Sequence, residues 1–215
     1  MVGTIINEES ATSLSYLEDN YKGLIFDCDG TLVNSMDFHF KGIEKLCKNY
    51  GLRFSRERFL SLGGTPFRRI VEIILEDNKR STNNACIDLF LSEKAAYLKS
   101  LRANGEFPTE ITCVTKVVKA MYGKMPMAVA SSGNKVCVRE DLQQHDLIKY
   151  FDAIITIEDV RNGKPDPDLF LEACKGIQIE PNHCIGYEDS IIGIESLHAA
   201  KMHAVNVTKF TDYPN

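Results

Sequence analysis

The chain has 215 residues, 44% of them hydrophobic, with 25 basic against 30 acidic side chains and a formal net charge of −5. That is enough apolar material to pack the core of one large domain, or of one domain with a smaller companion. No basic run could neutralise a row of nucleic-acid phosphates, and no apolar run approaches the roughly 20 residues of a membrane span, so neither nucleic acid nor membrane is expected as a partner.

Residues 1–20 are polar and mixed, and read as a leader framing a short helix near 15–19, with no function of its own. Glu8, Glu9, Glu18 and Asp19 stand where a signal peptide needs a basic start and an apolar middle, which makes the cytoplasm the expected compartment. The run Leu24-Ile25-Phe26 then reads as a buried strand that stops at the charged turn Asp27-Cys28-Asp29-Gly30-Thr31-Leu32. In extended backbone residues i and i+2 point the same way, so Asp27 and Asp29 share one small volume while Cys28 faces the other side. Gly30 supplies the backbone freedom for a sharp bend. Two carboxylates so placed repel unless a cation or a shared proton lies between them. The pair suits phosphoryl transfer, in which one acid attacks phosphorus, the other trades a proton, and Mg²⁺ offsets the crowded charge.

The next strand-like run, Pro126-Met127-Ala128-Val129-Ala130, comes far later than the dozen or so residues of an ordinary parallel crossover, so a segment is inserted between them. Helical spacing runs through it at Phe40, Ile43 and Leu46, at Ile70, Ile73 and Ile74, and at Leu89, Phe90, Ala96 and Leu98. The segment reads as a helical cap over residues 34–104, leaving 1–33 and 105–215 as a discontinuous α/β core. Asn104-Gly105-Glu106-Phe107-Pro108 is the expected return hinge, and residues 112–122 the core helix after it.

Ser131-Ser132-Gly133-Asn134 follows the second strand as a small polar loop able to hold phosphate oxygens at a helix start, or simply to cap that helix. A third strand, Ala153-Ile154-Ile155-Thr156, leads to Gly163-Lys164-Pro165-Asp166-Pro167-Asp168. There Asp166 is the expected N-cap and Pro167 the first position of a helix running to Lys175, with Gly176 just past its end. Cys184-Ile185-Gly186-Tyr187 ends in two more acids, Glu188 and Asp189, before a helix capped by Asp189 or Ser190 whose apolar side includes Ile191, Ile194 and Leu197. A fifth strand, Ala204-Val205-Asn206-Val207, ends the sheet, and the polar tail needs no role. Seven scattered cysteines with no Cys-x-x-Cys pair read as reduced thiols without chemistry. Alternating strands and helices make a doubly wound parallel sheet, whose strand carboxyl ends are where such sheets bind ligands.

The string Asp-x-Asp-Gly-Thr-Leu after an apolar strand, with the polar clusters in this order, resembles the haloacid dehalogenase superfamily, and within it the beta-phosphoglucomutase and fructose-1-phosphate phosphatase group. The resemblance covers residues 23–207. It implies Asp27 as nucleophile, Asp29 as acid/base and backbone ligand of Mg²⁺, and Ser131 and Lys164 as phosphoryl holders, with Ser132 and Gly133 beside them. Asp27, Asp29, Glu188 and Asp189 would form the metal site. In the cap, His39, twelve residues after Asp27, matches a mutase-group histidine that helps place the acid/base, Lys94 matches a lysine that faces substrate, and both are expected at the substrate with Gly64, Thr65 and Arg69. The mutase arginine that binds a second phosphate falls at Phe67, with Arg68 or Arg69 as substitutes. The expected function is therefore a Mg²⁺-dependent phosphatase of a small phosphorylated sugar or similar metabolite. A beta-phosphoglucomutase is the alternative, and an idle binding protein on the same fold is less expected.

Overall fold

Short apolar runs, each separated from the next by a helical stretch, assemble into one parallel sheet. The computed structural model describes residues 4–62 and 65–214. The strands are β1 (Ile5–Ile6), β2 (Gly23–Phe26), β3 (Val33–Asn34), β4 (Thr109–Glu110), β5 (Met127–Ser131), β6 (Ala153–Thr156), β7 (Cys184–Glu188) and β8 (His203–Asn206). Six of them form a sheet in the order β1-β8-β7-β2-β5-β6 with every pairing parallel, and β3 pairs antiparallel with β4.

The three central strands are buried along their whole length, as a parallel sheet covered on both faces requires. Alternation sorts their side chains. Leu24, Phe26, Met127, Val129, Ile185 and Tyr187 join one core, while Ile25, Ala128 and Ala130 join another with Leu169, Phe170 and Leu197.

The helices are α1 (Glu8–Thr12), α2 (Leu14–Asn20), α3 (Met36–Tyr50), α4 (Arg56–Leu60), α5 (Phe67–Asp77), α6 (Asn84–Ala103), α7 (Thr112–Met121), α8 (Lys135–Gln144), α9 (Asp168–Gly176) and α10 (Ile191–Ala199). Packing divides the chain into two compact units, Met1–Asn34 with Thr109–Asn215, and Ser35–Pro108. The first holds the sheet. The second is helical, with Ile43, Leu46, Phe59, Ile70, Val71, Ile74, Ile87 and Phe90 in its own core. Leu89, read as part of an apolar face, is exposed there. Among the described residues no helix is long and apolar enough to cross a membrane.

Three expectations are corrected. The leader is built into the core: β1 adds the outermost strand beyond β8, Ala11 and Leu17 are fully buried, and the Tyr187 hydroxyl donates to the Ala11 carbonyl at 2.6 Å. A two-residue strand is too short to show a period, and its partner lies at the far end of the chain. Asp166 does not cap α9, which starts at Asp168 behind Pro167 and includes Gly176. Asp166 instead belongs to a turn, its N–H donating to the Gly163 carbonyl and its own carbonyl accepting from the Ser196 hydroxyl at 2.6 Å. On α10, Ile194 and Leu197 are buried but Ile191, in the first turn, is 78% exposed.

Candidate active site

The polar residues at the carboxyl ends of β2, β5 and β7, together with the loop before α9, meet at one place in the sheet unit. Asp27 is the first residue past β2, and its N–H still donates to the Tyr187 carbonyl at 3.0 Å, as a continuation of the ladder. Cys28 turns into the hydrophobic core. The chain then bends at Gly30, whose φ of 87° is left-handed and whose missing Cβ leaves room for the Asp189 carboxylate. Thr31 donates from its hydroxyl to Asp189 Oδ1 at 3.2 Å.

Lys164 reaches this turn from the loop before α9. Its ammonium donates to Asp27 Oδ1 and, at 2.9 Å, to Glu188 Oε1, and its side chain is only 3% exposed. The face of Phe170, 4.9 Å away, supports the charge from below. The other Glu188 oxygen accepts from the Ser190 N–H and, at 3.0 Å, from the Ser190 hydroxyl, which accepts in turn from the Gly193 N–H at 3.1 Å as the N-cap of α10. Glu188 therefore folds over the start of α10, and any Cβ at position 193 would collide with its carboxylate.

On the other side, Ser131 ends β5 fully buried, and its hydroxyl accepts from the Gly133 N–H at 2.9 Å. Gly133 sits between Ser131 and Asp29, so that a Cβ there would lie 3.2 Å from both Ser131 Oγ and Asp29 Oδ2. Ser132 is exposed, and Asn134 caps α8 by accepting from the Cys137 N–H at 2.9 Å.

The electrostatics are those of too many acids for one cation. Burial pushes the Asp27 carboxyl well above its ordinary value; the Lys164 charge opposes this, and Glu188, Asp189 and Asp29 add to it. Burial and then the Glu188 charge push Asp189 up to about 7. Burial disfavours the charged form of Lys164, yet Asp27 and Glu188 outweigh that cost and hold its pKa above the usual lysine value. Oxygens of Asp27, Glu188 and Asp189 all lie within 4.8 Å of one another. An all-carboxylate donor set, crowded and under-compensated, fits a hard divalent cation such as Mg²⁺ better than zinc, which favours nitrogen and sulfur.

In the helical unit, His39 and Lys94 come together. Lys94 Nζ lies 3.4 Å from His39 Nδ1, within hydrogen-bond reach, and 3.4 Å from the centroid of the Phe67 ring, a cation–π contact. The His39 ring meets Phe67 edge-on with centroids 4.7 Å apart. Arg69 is engaged by Glu72 and Glu76 of its own helix at 2.9 and 3.0 Å, and Arg68 by Asp88. Thr65 donates its N–H to the Leu62 carbonyl at 2.9 Å, and Gly64 lies outside the described residues.

Sequence reasoning singled out Asp27, Asp29, Ser131, Lys164, Glu188 and Asp189 but passed over the residues that hold them. Thr31 lay inside the first motif and Ser190 was read as a cap only, so both carried a visible signal. Phe170 and Gly193 carried none, because each matters through a side chain from outside its own helix, Lys164 of the preceding loop and Glu188 of β7.

Comparison with known proteins places the chain in a family. Residues 24–207 match the family described as Haloacid dehalogenase-like hydrolase. Fructose-1-phosphate phosphatase YqaB of Escherichia coli (strain K12) is 33% identical over 190 residues, covering 88% of this chain and 97% of that protein. Beta-phosphoglucomutase of Bacillus subtilis (strain 168) is 27% identical over 194 residues, covering 86% of this chain and 83% of that protein. Among solved structures, beta-phosphoglucomutase from Clostridium difficile superposes with a TM-score of 0.72 at 24% identity, covering 88% of both chains, a likeness of fold. With a match spanning most of its length and a relative at this level of identity, the chain belongs to the haloacid dehalogenase-like hydrolases.

Proposed function

We propose that this chain is a Mg²⁺-dependent phosphatase that hydrolyses a small sugar phosphate or similar phosphometabolite through an aspartyl-phosphate on Asp27. The observation that carries the reading is the buried Lys164 ammonium bridging Asp27 and Glu188 with Asp189 alongside. It supports the reading because the proposed nucleophile, a buried cation and the three clustered carboxylates share one buried volume. The relatives above, a sugar-phosphate phosphatase and a phosphomutase, supply the substrate class.

An Asp27 oxygen attacks phosphorus as the bond to the leaving oxygen breaks, and Asp29 delivers a proton to that oxygen. Asp29 then takes a proton from water, whose oxygen attacks the same phosphorus and breaks the bond to Asp27, releasing inorganic phosphate. Lys164 holds a phosphoryl oxygen where negative charge gathers. The Ser131 hydroxyl, already accepting from Gly133, directs its O–H to another. Asp27, Glu188, Asp189 and a backbone carbonyl of Asp29 would hold Mg²⁺, which when bound supplies charge neutralisation at the phosphoryl group.

The helical unit favours the phosphatase over the mutase. A mutase must bind a second phosphate there, and the position that would carry an arginine for it is Phe67, whose ring lies under Lys94. Incubation with beta-glucose 1-phosphate, Mg²⁺ and a bisphosphate primer is therefore expected to yield mainly inorganic phosphate, and a panel of sugar phosphates assayed with and without Mg²⁺ should show metal-dependent release. Efficient primer-dependent formation of glucose 6-phosphate would establish the mutase instead.

Acid crowding also predicts a pH signature. Asp189, raised from 3.8 to about 7 in the folded metal-free protein, keeps a proton that the unfolded chain has already lost. Its contribution to stability is thus present at low pH and disappears as pH rises through about 7. Added Mg²⁺ should raise the thermal unfolding midpoint more at pH 8 than at pH 5, where protons compete for the same oxygens. Equal shifts at the two pH values would place the metal on other groups.

A further inference from the structure

The C-terminal tail, expected to have no role, folds back onto the acidic turn. Phe210 is buried in the main core, and Tyr213 packs against that core. Thr211 donates from its N–H and its hydroxyl to Glu8 Oε2 at 3.0 and 2.9 Å, tying the tail to α1. The Tyr213 N–H donates to the Phe210 carbonyl at 3.1 Å, and the Tyr213 hydroxyl donates to the Gly30 carbonyl at 2.7 Å. That carbonyl belongs to the peptide joining Gly30 to Thr31. One residue before it stands Asp29; one residue after it, Thr31 donates to Asp189. The turn also carries short-range bonds, Gly30 N–H to the Val33 carbonyl at 2.8 Å and Leu32 and Val33 N–H to the Cys28 carbonyl at 2.9 and 3.0 Å, and the Ile111 N–H donates to the Leu32 carbonyl at 2.9 Å at its far end. A φ of 87° at Gly30 belongs to a residue that adopts other conformations readily, so an external anchor on its carbonyl has something to restrain.

We propose that Tyr213 is a positioning residue for the reaction: its hydroxyl fixes the Gly30–Thr31 peptide and thereby sets Asp29 on one side and the Thr31–Asp189 contact on the other. This rests on the phosphatase reading given above. Tyr213 touches no reacting atom in it and acts through the turn. The tail thus serves as a clasp, anchored at Glu8 and Phe210, that delivers one hydroxyl to the turn from outside the site.

Tyr213→Phe keeps the ring and its packing and removes only the O–H. On a sugar phosphate, kcat should fall about threefold to tenfold, the scale of one lost hydrogen bond, with KM within about twofold. The loss should be smaller on an aryl phosphate with a good leaving group, whose departure needs little help from Asp29, and Asp29→Asn should show the same contrast in stronger form. Amide exchange at Gly30 and Val33 should speed up in the variant, a readout that requires no turnover. Equal losses on both substrates, or faster exchange with kcat unchanged, would make the tail merely structural and overturn the proposal. A wild-type protein that hydrolyses no phosphate ester would sink the proposed reaction and the positioning role together, whereas an active wild type whose kcat ignores Tyr213→Phe would sink the positioning role alone.

Discussion

Asp27→Asn is expected to lower turnover of every phosphate ester by about 10⁴-fold or more and to abolish covalent labelling of the protein by phosphate, because an amide oxygen is a poor nucleophile and carries no charge for the metal. The fold should survive the change. Asn has the shape of Asp, the Asp27 N–H remains in the sheet ladder, and Lys164 keeps Glu188 as a partner at 2.9 Å. One of four crowded acids also loses its charge, which relieves repulsion with Glu188, Asp189 and Asp29. A near-native unfolding midpoint with no activity would thus separate chemistry from folding. Retention of more than a few percent of turnover, or of phosphate labelling, would remove Asp27 as nucleophile.

The second large effect belongs to Lys164. Replacing it by Ala should lower kcat by about 10² to 10³, the cost of removing one charged donor aimed at a developing oxyanion in a buried site. The same change leaves Asp27 and Glu188 buried with no cation between them, so the metal-free protein should also unfold at lower temperature. Added Mg²⁺ should restore more stability to the variant than to the wild type. Lys164→Met separates charge from packing, since it keeps an unbranched stem against Phe170. It should match Ala in kcat while recovering part of the lost stability. A rise in KM alone, with kcat intact, would reassign Lys164 to ordinary substrate binding.

In the helical unit the two candidate basic residues, Lys94 and Arg69, are held differently. Lys94 is buried and meets an aromatic face and an imidazole. Arg69, by contrast, is half exposed and held by two glutamates one and two turns along its own helix. For Arg69 to meet substrate, it would first have to leave those partners.

Much of this protein was legible before its fold was known, because the informative patterns are local. The period of two that sends Leu24 and Phe26 to one core and Ile25 to the other also turns Cys28 inward and leaves Asp27 at the strand end. The period of 3.6 marked the long helices of the helical unit, whose cores formed on Ile43, Leu46, Ile70 and Ile74. The motif order pointed to the family, since each motif consists of neighbours in sequence. Elements of two residues escaped: β1, β3 and β4 are too short for any period to emerge, and each exists only because a distant strand offers it a partner. Asp166 has the composition of an N-cap, but a local turn bond to Gly163 and a tertiary bond from Ser196 engage its backbone, and the helix starts at Asp168. The couplings that define the site are of the same long-range kind. Lys164 meets Asp27 across 137 positions, Thr31 meets Asp189 across 158, and Tyr213 meets Gly30 across 183. Residue type and spacing by themselves marked the paired acids at two strand ends, and the family resemblance added Lys164 to them. Only the assembled parallel sheet, by bringing the ends of β2, β5 and β7 side by side, decided which oxygens share one ammonium and which tail hydroxyl reaches the turn between them.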